Sequence, residues 1–359
     1  MAPNIYTIIM AGGVGSRFWP QSREDKPKQF IDILGIGKSL MQMTWDRAAK
    51  FSAKENILIL TNRVYEKLIA EHLPDVSQGN ILTEPSRNNT GPCIAYAAFK
   101  LYQKDPEAIM IILPSDHLIL KEDIYYQKIK AATTYLQKNE ALLTLGIQPS
   151  RPDTGYGYIQ YSNSHDEIKE VLSFKEKPDA ATAEKYISEK NYLWNAGIFI
   201  WKAKDVITAF EKYAPTLFQI FDKGNAYYNT DMEQSFIEEN YPDSPNISID
   251  YAIMEKAENV CTIPADIGWS DLGTWTSLWA VKEKDANNNA VINAEEAILS
   301  NTKNCIISTR KEKLVVVDNL DDYIVIDEKD VLLIYPKSKE QEIKGVTQRL
   351  KEIKANKHL

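Results

Sequence analysis

Short apolar runs recur through the first part of the chain. Residues 5–10 (Ile-Tyr-Thr-Ile-Ile-Met), 57–60, 108–113 (Ala-Ile-Met-Ile-Ile-Leu) and 142–147 are continuous, apolar and rich in β-branched side chains. Runs of this length and kind suit strands buried on both faces. Helical stretches separate them. Ser39-Leu40-Met41-Gln42 opens one with the spacing of a capping box. Residues 63–72 form a second, and Asn89-Thr90-Gly91-Pro92 starts a third with Pro92 at an early helical position. This alternation predicts an α/β fold, with a mixed, mostly parallel sheet flanked by helices. Ligands of such sheets lie beyond the carboxyl ends of the strands. Two segments fall there: a Gly-rich loop after the first run, and Pro114-Ser115-Asp116-His117 after a later one.

Beyond residue 150 the pattern loosens. Thr154-Gly155-Tyr156-Gly157-Tyr158 reads as a turn leading into a strand, with further strands at 170–174 and 196–201. Helices are expected at 179–188 and 249–256. From 291 to 336 the character changes. Short strands at 305–307, 314–317, 323–326 and 331–335 alternate with polar turns, which suggests a small all-β module. Residues 339–354 read as a charged terminal helix. The expected division is a large domain at 1–285 and a β module plus helix at 286–359.

Composition narrows the function. The chain has 359 residues, of which 44% are hydrophobic and 26% charged, as in an ordinary globular protein. Its net charge of −8 argues against a broad nucleic-acid surface, which needs a basic stripe. No apolar run is long enough for a bilayer, and Met1-Ala2-Pro3-Asn4 does not start a signal peptide. Cys93, Cys261 and Cys305 are too scattered for a metal or disulfide framework, and the four histidines do not pair. A cytoplasmic protein with free thiols is expected.

The Gly-rich loop carries the chemistry. Gly12, Gly13 and Gly15 let the backbone approach a ligand, and successive amides make an anion nest. Arg17, Arg23, Lys26 and Lys28 follow closely. The loop lacks the Lys-Ser/Thr ending of a P-loop, and Phe18 stands where a dinucleotide fingerprint needs glycine. Pro20 and Pro27 oppose an immediate helix. A long, mobile cover over a phosphorylated ligand is the expectation.

Met10-Ala11-Gly12-Gly13-Val14-Gly15-Ser16-Arg17-Phe18-Trp19-Pro20, with Lys26-Pro27-Lys28-Gln29-Phe30, resembles the signature of sugar-nucleotide pyrophosphorylases. The likeness is closest to their mannose-1-phosphate guanylyltransferase branch. It continues through Pro114–His117, Phe174-Lys175-Glu176-Lys177-Pro178, Asn195-Ala196-Gly197-Ile198-Phe199 and Gly268-Trp269-Ser270-Asp271-Leu272-Gly273-Thr274-Trp275. These blocks stand in family order. The resemblance implies a Rossmann-like, GT-A-like catalytic domain and a left-handed β-helix-like C-terminal module. The isomerase extension of longer bacterial relatives is not expected here.

The implied reaction joins GTP and mannose 1-phosphate into GDP-mannose and diphosphate, with Mg²⁺. By the same resemblance Arg17 holds the triphosphate and Lys28 the α-phosphate, while Asp116 and Asp271 bind the metal. Ala11, Gly12, Gly13, Gly15, Ser16, Glu84, Asn89, Thr90 and Ser115 line the nucleotide. Gly157, Glu176, Lys177 and Asn195 face the sugar phosphate. The family places Arg directly before Asn-Thr; here Asn88 stands there and Arg87 one position earlier. No role is therefore carried to Arg87. Guanine offers two neighbouring N–H donors, which a carboxylate such as Glu84 can accept, so Glu84 is the candidate for base choice. The tryptophans are expected to pack rather than to stack on ligand. Two alternatives stay open: a non-catalytic sugar-nucleotide sensor, and a transferase using UTP or dTTP with glucose 1-phosphate. A nicotinamide oxidoreductase is disfavoured by the loop. A homodimer also stays open.

Overall fold

The computed structural model describes residues 4–359; Met1–Pro3, part of the stretch that reads as lacking a signal peptide, lie outside the described residues. The chain forms two compact units, each assembled from separated segments. Residues 4–12, Thr44–Ser115 and Ile119–Trp269 make the first; Gly13–Met43, Asp116–Leu118 and Ser270–Leu359 make the second.

The first unit is built on a nine-stranded sheet. Its strands are β1 (Ile5–Met10), β2 (Ile57–Asn62), β3 (Ile81–Glu84), β4 (Ile109–Pro114), β5 (Leu142–Ile147), β6 (Tyr158–Tyr161), β7 (Lys169–Lys175), β8 (Tyr192–Lys202) and β9 (Val260–Pro264). They lie in the order β3-β2-β1-β4-β8-β5-β9-β7-β6. Only β7 and β8 run against the others, so the sheet is mixed but mostly parallel. The apolar runs become its central strands because both faces are covered. Ile8, Leu60, Met110, Ile112 and Trp201 pack with Ile94, Ala97 and Ala98 of the helix Thr90–Lys104. Each buried Ile, Leu or Met among them contributes about 1.5–3 kcal/mol. The buried Trp201 indole donates to the Leu143 carbonyl at 2.9 Å, so its polar atom is satisfied.

The second unit contains a β-helix-like coil. Its strands are β10 (Ala290–Ile292), β11 (Glu296–Ser300), β12 (Ile306–Ser308), β13 (Leu314–Asp318), β14 (Tyr323–Asp327) and β15 (Leu332–Pro336). β10, β12 and β14 stack in parallel, β15 closes this sheet antiparallel, and β11 pairs in parallel with β13. Asn293, Asn301, Asn304 and Asn319 turn the corners with positive φ, a conformation asparagine tolerates. Asn288 donates to Asn304 and Asn304 to Asp321, at 2.9 and 3.0 Å, which ties successive turns together. Inside the coil, Cys305, Ile307 and Val325 pack with Leu299, Val315 and Val317. On the opposite face of the same sheet, Ile292, Ile306, Ile324 and Ile326 share a core with Phe18, Trp19, Trp275 and Ile343.

That core revises the picture of the loop. Phe18, Trp19 and Pro20 are buried, and so are Lys28, Gln29 and Phe30. The segment after Arg17 is therefore anchored by aromatic packing rather than a freely moving cover. The region expected as a helix at 249–256 is a single π-turn, Asp250–Met254. The terminal helix is shorter than expected, Ile343–Glu352, after a 3-10 stretch.

Candidate active site

Three clusters hold the candidate residues. The first lies wholly in the second unit, around a cavity of about 250 Å³ lined by Gly15, Ser16, Arg17, Lys28, Asp116, His117, Asp271, Gly273 and Lys344. Lys28 is its buried centre, only 3% exposed. Its ammonium meets Asp116 Oδ2 at 2.7 Å and the carbonyls of Asp271 and Leu272 at 2.8 and 3.0 Å. Three acceptors engage all three N–H donors. Burial alone would raise the Asp116 pKa; the charges of Lys28 and His117 outweigh it and hold the carboxyl below its ordinary value. Arg17 presents a different state: its Nε is buried without a hydrogen-bond partner. A buried, unsatisfied guanidinium nitrogen on a cavity wall suits an anionic ligand.

Glycine is required twice here. Gly15 has φ of 72°, and a Cβ there would lie 2.6 Å from the Lys28 Cβ. A Cβ at Gly273 would meet the Asp271 carboxylate, whose Oδ1 accepts the Gly273 amide at 3.0 Å. That bond orients Asp271. Asp116 and Asp271 thus place two carboxylates on one cavity. The described residues offer no group of three or more metal-ligating side chains. Two carboxylates leave positions for phosphate oxygens and water, the arrangement Mg²⁺ favours.

The second cluster belongs to the first unit and holds Glu84, at the end of β3. The carboxyl is 7% exposed. Burial pushes its pKa up to about 7, against hydrogen bonds from Tyr241 and Cys93. The Tyr241 hydroxyl donates to Oε1, while Oε2 faces Gly12. Accepting both guanine donors would need two free oxygens, and one is already engaged. Asn88 holds the turn that carries Tyr241, donating to the Ser244 carbonyl at 2.8 Å. Arg87 is turned to the Tyr65 hydroxyl at 2.6 Å. Asn89 caps the helix Thr90–Lys104 with φ of 70°, and the Thr90 hydroxyl accepts the Ile249 amide at 2.9 Å. The Ala11 amide and carbonyl bond Leu60 and Thr61, at 2.7 and 3.1 Å, and the Ser115 amide donates to the Met10 carbonyl at 3.0 Å. These backbone bonds fix the start of the loop.

The third cluster also belongs to the first unit. Gly157, Glu176, Lys177 and Asn195 come together there. A Cβ on Gly157 would lie 2.4 Å from Glu176 Oε2, so this glycine makes room for the carboxylate. Lys177, at φ of 48°, pairs with Glu176 Oε1. Asn195 donates its amide N–H to the Gly157 carbonyl at 2.8 Å, and Nδ2–H to Asp250 Oδ1 at 2.9 Å.

Asp250 is the member that sequence reasoning missed. Burial, then the neighbouring Glu176 charge, pushes its pKa up to about 7. No spacing announced it, because it sits in a π-turn, a distortion often found at functional positions.

With this geometry in view, the comparisons with known proteins agree. Residues 6–288 match the nucleotidyl transferase family, and residues 295–350 match the MannoseP isomerase/GMP-like beta-helix domain. The chain belongs to the nucleotidyl transferase family. It is 34% identical over 352 residues to a mannose-1-phosphate guanylyltransferase of Klebsiella pneumoniae, covering 96% of this chain and 74% of that one. A mannose-1-phosphate guanylyltransferase 2 of Escherichia coli O157:H7 is also 34% identical, over 361 residues, covering 97% and 73%. Among solved structures, one described as a mannose-1-phosphate geranyltransferase of Thermus thermophilus superposes with a TM-score of 0.87 at 29% identity. That match covers 97% of this chain and 99% of the other. No helix of the described residues is long and apolar enough to cross a membrane.

Proposed function

We propose that the protein transfers GMP from GTP to α-D-mannose 1-phosphate, giving GDP-mannose and diphosphate. The observation that carries this reading is the single cavity joining Arg17, Lys28, Asp116 and Asp271. The relatives' names supply the substrates, and the glycine-dependent geometry around Glu176 and Asn195 supports a sugar subsite.

The attacking group is an oxygen of the sugar phosphate, already an anion, so no strong general base is needed. It displaces diphosphate in line from the α-phosphorus, and catalysis rests on alignment and charge neutralisation. Arg17 takes the triphosphate through its fork, with the amides of Gly13, Gly15 and Ser16. Lys28 exchanges its bond to Asp116 for an α-phosphate oxygen. Nucleotidyltransferases of this family generally use a divalent metal. Asp116 and Asp271 would hold Mg²⁺, whose charge would neutralise phosphate oxygens. Glu176 and Asp250 accept sugar hydroxyls, Lys177 neutralises the sugar phosphate, and Asn195 orients the Asp250 carboxyl. Ala11, Gly12, Asn89, Thr90 and Ser115 shape the nucleotide side, and Glu84 reads guanine through Oε2. The three free cysteines suit a reducing cytoplasm.

The test is diphosphate release with Mg²⁺ from GTP, UTP or dTTP paired with mannose 1-phosphate or glucose 1-phosphate. GTP with mannose 1-phosphate is expected to be the preferred pair. Turnover by no pair refutes the enzyme reading, and preference for UTP or dTTP with glucose 1-phosphate refutes the substrate assignment.

A further inference from the structure

The phosphate cavity has one more cation on its wall, Lys344, to which no motif pointed. It stands in the first turn of the helix Ile343–Glu352. Ile343 is buried in the same core as Phe18, with Val346 and Leu350 packed against it. The helix backbone is thereby held beside the Ser16–Phe18 turn that carries Arg17.

Lys344 is exposed, yet two features set it apart from an ordinary surface charge. Arg17 is close enough to push its pKa down, burial adds in the same direction, and no carboxylate opposes them. A cation in the first helical turn also faces the positive end of the helix dipole, where anions are favoured. Lys28, by contrast, has all its donors engaged. The positive charge not yet neutralised in the cavity therefore comes from Arg17 and Lys344. Both arrangements are unfavourable in the free protein, and an anion between the two cations relieves both. The cavity of about 250 Å³ is smaller than the ~300–1,000 Å³ of sites that enclose a whole drug-sized ligand. It suits a short phosphate chain rather than a nucleoside.

We infer that Lys344 is a third phosphate ligand, which with Arg17 grips the β- and γ-phosphates of the nucleotide and the departing diphosphate. This assignment rests on the proposed function for its substrate and deepens it. The terminal helix thus completes the phosphate subsite of its own unit. The division of labour follows from the geometry. Lys28, fixed among Asp116 and two carbonyls, serves the reacting phosphate. Lys344, exposed on the cavity wall, serves the leaving group.

Calorimetric titration with diphosphate and Mg²⁺, alongside steady-state kinetics, tests it on Lys344→Gln, Lys344→Arg and a same-helix control, Lys351→Gln. Glutamine keeps the helix propensity of lysine, and Lys351 is paired with Glu24. Lys344→Gln is expected to weaken diphosphate binding and raise the KM for GTP by about tenfold, because a charge-assisted hydrogen bond to phosphate is removed. The KM for mannose 1-phosphate stays within about twofold, and Tm stays level or rises slightly, because a cation leaves the helix start. Lys344→Arg restores binding to within about threefold, and Lys351→Gln matches the wild type. Unchanged diphosphate binding in Lys344→Gln overturns the inference, as does a weakening that follows a fallen Tm and is not rescued by arginine. A wild type that binds diphosphate but turns over no substrate pair refutes the functional reading alone, and calorimetry still decides on Lys344.

Discussion

The phosphate cavity and the sugar cluster use the same residue type in opposite ways. Asp116 sits beside Lys28 and His117, and its carboxyl is held below the ordinary range despite burial. Asp250 is buried next to another carboxylate, Glu176, and its pKa is pushed up to about 7. One site keeps the Asp116 carboxylate charged among cations; the other crowds carboxyls until Asp250 takes a proton near neutrality. The difference matches the two halves of the proposed substrate pair. Phosphates need cations and a metal with charged ligands. Sugar hydroxyls need close, oriented acceptors, and a proton on Asp250 eases its repulsion with Glu176.

Removing a cation should do the most damage. Arg17→Ala is expected to lower kcat/KM for GTP by about 10²–10³, the usual loss for a charge-stabilising donor. A decrease of under about tenfold would place Arg17 outside the phosphate site. Crowding the sugar cluster comes next. Gly157→Ala brings a methyl to 2.4 Å from Glu176 Oε2 and so displaces the carboxylate. We expect the KM for mannose 1-phosphate to rise by about tenfold with the KM for GTP nearly unchanged.

The smallest effect is on stability, and it depends on pH. The folded-state pKa of Asp250 is about 7, against an ordinary 3.8. The native state therefore holds the proton where the unfolded chain has lost it. This group's contribution is intact below pH about 4 and declines as pH rises towards about 7. Asp250→Asn keeps an acceptor for Asn195 and cannot ionise. Its Tm relative to wild type should improve from about pH 5 to about pH 8, by roughly a few degrees. A flat difference across that range would show that Asp250 is charged throughout.

Local features were the most legible in the sequence. The strands Ile5–Met10 and Leu142–Ile147 begin and end where the apolar runs do. The expected capping box is present: the Ser39 amide donates to Gln42 Oε1 at 2.9 Å, and the Gln42 amide to Ser39 Oγ at 3.3 Å. Distant pairings were not legible. Tyr241 reaches Glu84 across 157 positions and turns a candidate base acceptor into a partly engaged one. Phe18 and Trp19 join a core packed on the outer face of the β coil, which no periodicity in the loop reveals. Motif matching located Glu176 and Asn195, but Asp250 and Lys344 lie outside the motifs. Their neighbours, not their spacing, give them their chemistry.

The division between a cation-rich phosphate site and a carboxylate-rich sugar site is tested most directly by steady-state kinetics on Glu176→Gln, with both substrates varied. The account predicts a KM for mannose 1-phosphate raised by about tenfold or more, and a KM for GTP within about twofold of wild type. Equal increases in both constants, or an effect on GTP alone, would contradict it.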